Sequence, residues 1–253
     1  MISQSFIKHL KELVIYLGEQ AEKIKYDKYE VRLKENDSPL TIADKIINEE
    51  LISFLITKSP HKFIISEENK NIQYEKRRSW DYFWMIDPID GTKEFIKKGH
   101  DYTINIALCH INTPVFGIVY APASKTLYHA IKGMGAYKNN IKIRCVPHLD
   151  SLKIVASSSH LNQETKEFID NLKEDNNCEI VNIGSSLKIC FIADGTAHVY
   201  PRFGPTMEWD TCASQVILEE AGGALKTIDN KILVYNKENL LNPFFIATNN
   251  FSI

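Results

Sequence analysis

The hydrophobic pattern of this chain changes period twice, and each change narrows the folds open to it. Phe6, Ile7, Leu10, Leu13, Val14, Leu17, Ala21 and Ile24 recur at helical spacing, which predicts an amphipathic helix running to about residue 25. A second helical pattern puts Ile42, Ile46, Ile47, Leu51, Phe54 and Leu55 on one face and must end before Pro60. Between the two, Tyr29, Val31 and Leu33 alternate as a short strand, and "NDSP" (36–39) reads as a turn. The pattern then becomes strand-like: "FIIS" (63–66), "YFWMI" (82–86), "TINIALC" (103–109), "VFGIVY" (115–120), "TLYHAI" (126–131) and "AYKNNIKIR" (136–144). Asn139-Asn140 inside the last run has the composition of a hairpin turn. Two helices followed by a largely antiparallel sheet is the expectation for this part.

From about residue 150 strands and helices alternate. The strands are "KIVASS" (153–158), "EIVNI" (179–183), "AHVY" (197–200), "ALKTI" (224–228) and "FFIAT" (244–248). Helices are expected over 163–173, 185–193 and 210–221, the last closed by Gly222-Gly223. Such alternation predicts an α/β layer with helices on both faces of a sheet. At 253 residues the chain is also near the size at which one core divides. The expected organisation is therefore a helix-plus-antiparallel-sheet part over 1–148 and an α/β part over 149–253, joined near "VPHLDS" (146–151) with a cleft between them.

Bulk charge adds little. A net charge of -2 gives no electrostatic reason to expect a nucleic-acid polymer or a membrane surface as partner, so any basic site must be local. The five cysteines form no C-x-x-C pair and mostly fall in apolar stretches, which suits reduced, buried thiols of a cytoplasmic protein. Lys8, Lys11 and Glu12 interrupt the first apolar region, so it does not read as a secretory signal. No run approaches the roughly 20 apolar residues of a spanning helix. A soluble, cytoplasmic chain is expected; loose attachment at the inner face of the cell membrane and the oligomeric state are left open.

Acids at element ends carry the chemistry. "ISEEN" (65–69) puts Glu67 and Glu68 after a short apolar strand, "WMIDPIDGT" (84–92) puts Asp87 and Asp90 after another, and "EWDT" (208–211) puts Asp210 at a helix start. Each has a plain alternative: a solvated loop for Glu67-Glu68, a tight turn for Asp-Pro-x-Asp-Gly, a helix N-cap for Asp210. Together they argue for more. Carboxylates gathered at the ends of buried strands repel unless a cation lies among them, and a hard divalent ion such as magnesium suits an all-oxygen set. No His/Cys cluster suggests zinc. On this reading Asp87 bridges two metals, Glu67 serves one, and Asp90 and Asp210 serve the other, with the Ile89 carbonyl as a further ligand. Two metals suit displacement at phosphorus, one activating a water and one steadying the leaving oxygen. Gly91 and Thr92 offer backbone N–H groups to a phosphate, and the Thr92 hydroxyl is placed to orient the water.

The three motifs, in order and over nearly the whole chain, resemble the magnesium-dependent, lithium-sensitive phosphomonoesterases that include inositol monophosphatase. That resemblance implies an αβαβα sandwich, two or three magnesium ions per site, and a site between the two parts of the chain. It also implies that Asp44, in "TIADKII", lies near Thr92 and helps activate the water. Read by itself, Asp44 is a capping-box acid three residues after Thr41.

Within the family, "DGTKEF", "GSSLKIC" (184–190) and "YPRFGPTMEWDT" (200–211) match the bacterial 3′(2′),5′-bisphosphate nucleotidases, whereas inositol monophosphatases usually continue as D-G-T-T-N-F. That branch resembles a salvage device of sulfur assimilation. It implies removal of the 3′-phosphate of adenosine 3′,5′-bisphosphate, leaving open its 5′-phosphosulfate counterpart as a substrate. A bisphosphate needs a second anion site: Arg202 offers a guanidinium fork and Lys188 a point charge. The family pattern adds Ser185 and His160 to the substrate contacts, alongside Asp90, Gly91, Thr92 and Asp210. Plain alternatives remain a solvent-facing helix lysine for Lys188 and a loop residue for His160. Lys93 and Glu94 mark the branch without a derivable role. The rival readings are an inositol or sugar phosphatase, and a silent metal- or phosphate-binding regulator.

Overall fold

The computed structural model describes residues 2–27, 32–33, 39–69, 72–147, 150–156 and 162–250. Two helices come first: α1 (Gln4–Tyr26), and α2 (Ile42–Lys58) after a small ribbon of β1 (Arg32–Leu33) and β2 (Pro39–Leu40). Ser3 caps α1 by accepting from the Phe6 N–H, and Thr41 with Asp44 makes a capping box on α2. The expected faces are turned inward, with Leu13, Ile24, Ile46 and Phe54 half-buried at their margins and one residue out of place. Ile42, at the first position of α2, is exposed, and Ala43 takes the core-facing place with Ile47, Leu51 and Leu55. The expected strand at 29–33 and the "NDSP" turn lie mostly outside the described residues.

A seven-stranded sheet follows, in the order β3 (Phe63–Ser66), β4 (Tyr82–Asp90), β5 (Thr103–His110), β6 (Thr113–Ala121), β7 (Thr126–Ile131), β8 (Gly135–Lys138) and β9 (Ile141–Ile143). Only β3–β4 is parallel; the other neighbours are antiparallel. Asn139 and Asn140 both have positive φ, as a tight hairpin demands, so the run over 136–144 is two strands. Two short helices that the hydrophobic pattern does not announce flank β4: α3 (Tyr74–Arg77) and α4 (Thr92–Ile96).

The remaining chain alternates as expected: β10 (Leu152–Ala156), α5 (Gln163–Asp175), β11 (Cys178–Asn182), α6 (Leu187–Ala193), β12 (Val199–Arg202), α7 (Glu208–Glu220), β13 (Ala224–Thr227) and β14 (Phe245–Thr248). Its five strands run β11-β10-β12-β14-β13, parallel on one side of β12 and antiparallel on the other.

Strand alternation sorts the side chains into layers. Trp84, Ile86, Ile104, Ile106 and Leu108 face α1 and α2 in one buried cluster. Their neighbours Phe83, Met85, Ala107 and Cys109 face the other way, into a cluster shared with α6, α7 and the five-stranded sheet. A third, smaller cluster joins Ile169 of α5 to β10 and β12. The layers are thus helix, sheet, helix, sheet, helix. All five cysteines are unpaired, Cys109, Cys190 and Cys212 being buried and the other two half-buried. Among the described residues no helix is long and apolar enough to cross a membrane.

Candidate active site

Asp87 and Asp90 are an odd number of residues apart, so in a regular strand they would point to opposite faces of the sheet. The register of β4 against β5 prevents this. Asp87 pairs with Asn105 but Asp90 pairs with Thr103, three steps on one strand against two on the other. This one-residue bulge at Pro88-Ile89 turns both carboxylates to the side that α7 covers. Proline has no N–H to lose from the ladder, which suits it to the place. The bulge is the reason for the spacing.

Asp210 completes the group from above. Carboxylate oxygens of Asp87, Asp90 and Asp210 lie within 4.8 Å of one another. The helix that carries Asp210 begins at Glu208, so Asp210 is its third residue and not the N-cap. Its Oδ2 reaches back to accept from the Met207 N–H at 2.9 Å. Glu67 stands in the turn after β3, lines the same cleft, and is hydrogen-bonded to Asp87. Burial drives the Asp87 carboxyl well above the ordinary carboxylate range, with the charges of Glu67, Asp90 and Asp210 adding to it. Asp210 is raised in the same way, by burial first and then by Asp90. These are the symptoms of like charges held together in a poorly hydrated place.

Asp90 is held by groups from the second half of the chain. Its Oδ2 accepts from Ser185 Oγ (2.7 Å), the Ser186 N–H (2.7 Å), Ser186 Oγ (2.9 Å) and, more distantly, Asn105 Nδ2 (3.4 Å). Asn105 Nδ2 also donates to Ser186 Oγ at 2.8 Å, and Ser185 Oγ is 2.5 Å from Thr103 Oγ1. The helix expected over 185–193 starts two residues later, at Leu187, because Ser185 takes a left-handed φ of 57° and turns toward Asp90. Ser186, Asn105 and Thr103 were not singled out from the sequence. Strand pairing with Asp87 and Asp90 would have pointed to the last two.

Asp44 fills both places suggested for it. Oδ2 accepts from the Thr41 N–H (2.8 Å) and Thr41 Oγ1 (2.5 Å), while Oδ1 lies 3.4 Å from Thr92 Oγ1. Thr92 Oγ1 also donates to the Ile89 carbonyl at 3.0 Å. Gly91, between Asp90 and Thr92, sits at φ +93°, and a Cβ there would meet the Asp101 carbonyl at 2.9 Å. Only glycine makes that turn without displacing the loop.

The same cleft, of about 280 Å³, is also lined by cations. Lys188 is buried, not solvent-facing, and burial pushes its ammonium down to about 8 against the opposing charge of Asp90. It lies 5.6 Å from the centre of the Tyr200 ring and meets no hydrogen-bond acceptor among the described residues. Arg202 donates from Nη2 to the Pro205 carbonyl (2.9 Å), and its buried Nε has no partner. Ser185, Gly91, Lys93 and Glu94 line the same cleft. His160 lies outside the described residues.

A cleft lined by both carboxylates and cations invites comparison with known phosphatases. The profile of the inositol monophosphatase family matches residues 3–249. The chain belongs to that family. A relative named 3′(2′),5′-bisphosphate nucleotidase CysQ, from Salmonella typhimurium, is 40% identical over 219 residues, 85% of this chain and 87% of its own. Among solved structures, CysQ from Bacteroides thetaiotaomicron, described as a bacterial member of the family, superimposes with a TM-score of 0.84 at 40% identity. It covers 93% of this chain and 94% of its own. An IMPase of Thermotoga maritima, at 24% identity, shares the family fold with a TM-score of 0.79 over 96% of this chain and 91% of its own.

Proposed function

We propose that this chain is a magnesium-dependent phosphatase that removes the 3′-phosphate of adenosine 3′,5′-bisphosphate, giving AMP and phosphate. The observation that carries this reading is the polarity of one cleft. Its acidic end is formed by Asp87, Asp90 and Asp210 with Glu67, and its cationic wall by Lys188 and Arg202. A monophosphate ester needs the first of these; a bisphosphate uses both. The names of the relatives at 34–40% identity support the same choice.

The acidic end suits magnesium. All candidate donors are oxygens, those of Asp87, Asp90 and Asp210 converge within 4.8 Å, and burial with mutual repulsion raises the Asp87 and Asp210 carboxyls. Asp87, Asp90 and Asp210, with Glu67 and the Ile89 carbonyl, would hold the ions. When bound, magnesium would supply charge neutralisation for the phosphate and acidify a coordinated water.

The chain's own groups do the rest. Thr92 Oγ1 turns its single proton from the Ile89 carbonyl to Asp44 Oδ1, 3.4 Å away, and accepts from the attacking water. Thr41 holds the other Asp44 oxygen, Oδ2, and so fixes the carboxylate beside Thr92. Ser185 and Ser186 fix Asp90 in one orientation, so its remaining oxygen keeps its place while the phosphate reacts. Lys188 and the unpaired Nε of Arg202 take the 5′-phosphate, which places the 3′-ester over the acids. The 5′-phosphosulfate counterpart carries an anion at the same position and fits the same wall.

The test is phosphate release from adenosine 3′,5′-bisphosphate and from inositol 1-phosphate, side by side, in magnesium with and without lithium. Strong preference for the nucleotide, suppressed by lithium, is expected. Preference for the inositol ester would leave the acidic end standing and overturn the role given to Arg202 and Lys188.

A further inference from the structure

Two buried charges, Glu208 and Arg77, belong to neither end of the cleft. Glu208 opens α7 two residues before Asp210 and is fully buried. Its carboxylate accepts from the N–H groups of Asn236 (2.6 Å) and Lys237 (3.0 Å) and from Lys237 Nζ (2.5 Å). Arg77, 3% exposed, ends α3, in the segment that leads from the Glu67 turn to β4. Its guanidinium donates to Asn236 Oδ1 (2.7 Å), the Lys237 carbonyl (2.6 Å), the Glu238 carbonyl (2.8 Å) and the Ile72 carbonyl (3.2 Å). Asn236 Nδ2 returns a bond to the Arg77 carbonyl at 2.7 Å.

Residues 236–238 are therefore gripped from both sides. Arg77 holds them from the segment after Glu67, and Glu208 holds them from the first turn of the helix that carries Asp210. Asn236 makes this geometry possible with a φ of 65°, a left-handed turn that asparagine tolerates. A buried charge is costly to remove from water, so a carboxylate with three donors and a guanidinium with four acceptors fix these segments tightly.

We propose that Arg77, Asn236 and Glu208 form a strut behind the cleft that sets the separation of Glu67 from Asp210, and so act as positioning residues for the carboxylate site. The proposal rests on the reading of Glu67 and Asp210 as magnesium ligands. Glu208, in "EWDT", then gains a role: it anchors the helix that presents the aspartate two residues on. Groups that orient metal ligands typically change metal affinity or activity by about 10–100-fold when altered.

The experiment uses Glu208→Gln and Asn236→Ala in the full chain. Two quantities are read: the magnesium concentration for half-maximal activity, and the magnesium-dependent rise in melting temperature without substrate. Both variants should need about 10–100-fold more magnesium in both readings, while KM for the nucleotide at saturating magnesium stays near the parent value. A lower melting temperature in the absence of metal, with unchanged magnesium midpoints, would reduce the strut to general stability and overturn the proposal. If Glu208→Gln does not fold, Lys237→Met removes one of the three donors and should shift the midpoints in the same direction. Asp210→Asn separates the two levels of the argument. If it responds to magnesium as the parent does, the ligand reading fails; if it loses the response while both strut variants keep theirs, only the strut fails.

Discussion

Asp90→Asn is the most informative single change, because it alters charge while keeping shape. Two unit charges 4.8 Å apart interact by about 3.5 kcal/mol at an effective dielectric constant of about 20. Asp90 faces both Asp87 and Asp210, so if all three were fully ionised neutralising it would remove about 7 kcal/mol or more of repulsion from the metal-free protein. The realised gain is smaller, since the raised Asp87 and Asp210 carboxyls already relieve part of the strain by holding protons. The asparagine carbonyl can keep the Ser185 and Ser186 donors. The metal-free variant should therefore melt no lower than the parent. Magnesium should act the other way. At a hundred times its dissociation constant it stabilises the parent by about 2.7 kcal/mol, or about 5–11 °C for a chain of this size. The variant should lose most of that rise together with its turnover. Differential scanning fluorimetry with a magnesium series, beside phosphate release, reads both. An equal magnesium-dependent rise in the two proteins would refute the reasoning, and so would a metal-free variant that is markedly less stable.

Three other expectations follow from the same cleft. Arg202→Ala deletes a charge-assisted contact worth about 1.5–3 kcal/mol, and should cost the bisphosphate nucleotide about 10- to 150-fold in kcat/KM while sparing a simple monophosphate; equal losses on both would remove Arg202 from the second phosphate. In the proposed function Lys188 would bind an anion as its ammonium, which predominates below about 8. KM for the nucleotide should therefore climb about tenfold per unit above that pH, and Lys188→Arg, charged throughout, should flatten the climb. Ser186→Ala takes a hydroxyl from Asp90 and an acceptor from Asn105. It should lower kcat by about tenfold or more with the fold intact by circular dichroism, and an unchanged kcat would mean that the remaining donors hold Asp90 unaided.

Much of this architecture is written in the period of the hydrophobic residues. The two opening helices, each strand of the large sheet and the later alternation follow from spacing alone, because burial on one face dictates it. The acids were legible only as a group, since each has an ordinary use alone and their recurrence at the ends of buried elements does not. What could not be read are features made by pairing. The bulge that brings Asp87 and Asp90 to one face exists only relative to β5, and a lone strand gives no hint of it. Ser186 and Asn105 look like ordinary polar residues until Asp90 is set between them. The short helices α3 and α4 lack the length for a periodic signal, so the Arg77 grip stayed out of view. Helix ends moved for a related reason. Ser185 lies outside its expected helix and bonds a carboxylate, and Asp210 is a third-position residue because the helix begins at Glu208, whose carboxylate accepts from the 236–238 loop.

The position of Asp210 has a cause that reaches into the sheet itself. Ala107, Gly117 and Ala130 lie opposite one another across β5, β6 and β7, and Ala136 extends the row into β8. Four small residues side by side make a trough across the strands, and α7 lies against them. At Gly117 the approach is so close that a Cβ would come within 2.5 Å of the Ala213 carbonyl and 2.7 Å of Val216 Cγ1. Backbone cannot yield there as a flexible side chain could. The depth of the trough therefore fixes how near α7 comes to the sheet, and Asp210, three residues before Ala213, is carried to that height. Asp87 and Asp90 are fixed on the same sheet by the β4 bulge. The convergence of three acids from distant parts of the chain is thus set by two backbone features, a row of missing side chains and one extra residue, with the Glu208 anchor holding the helix end in register above them.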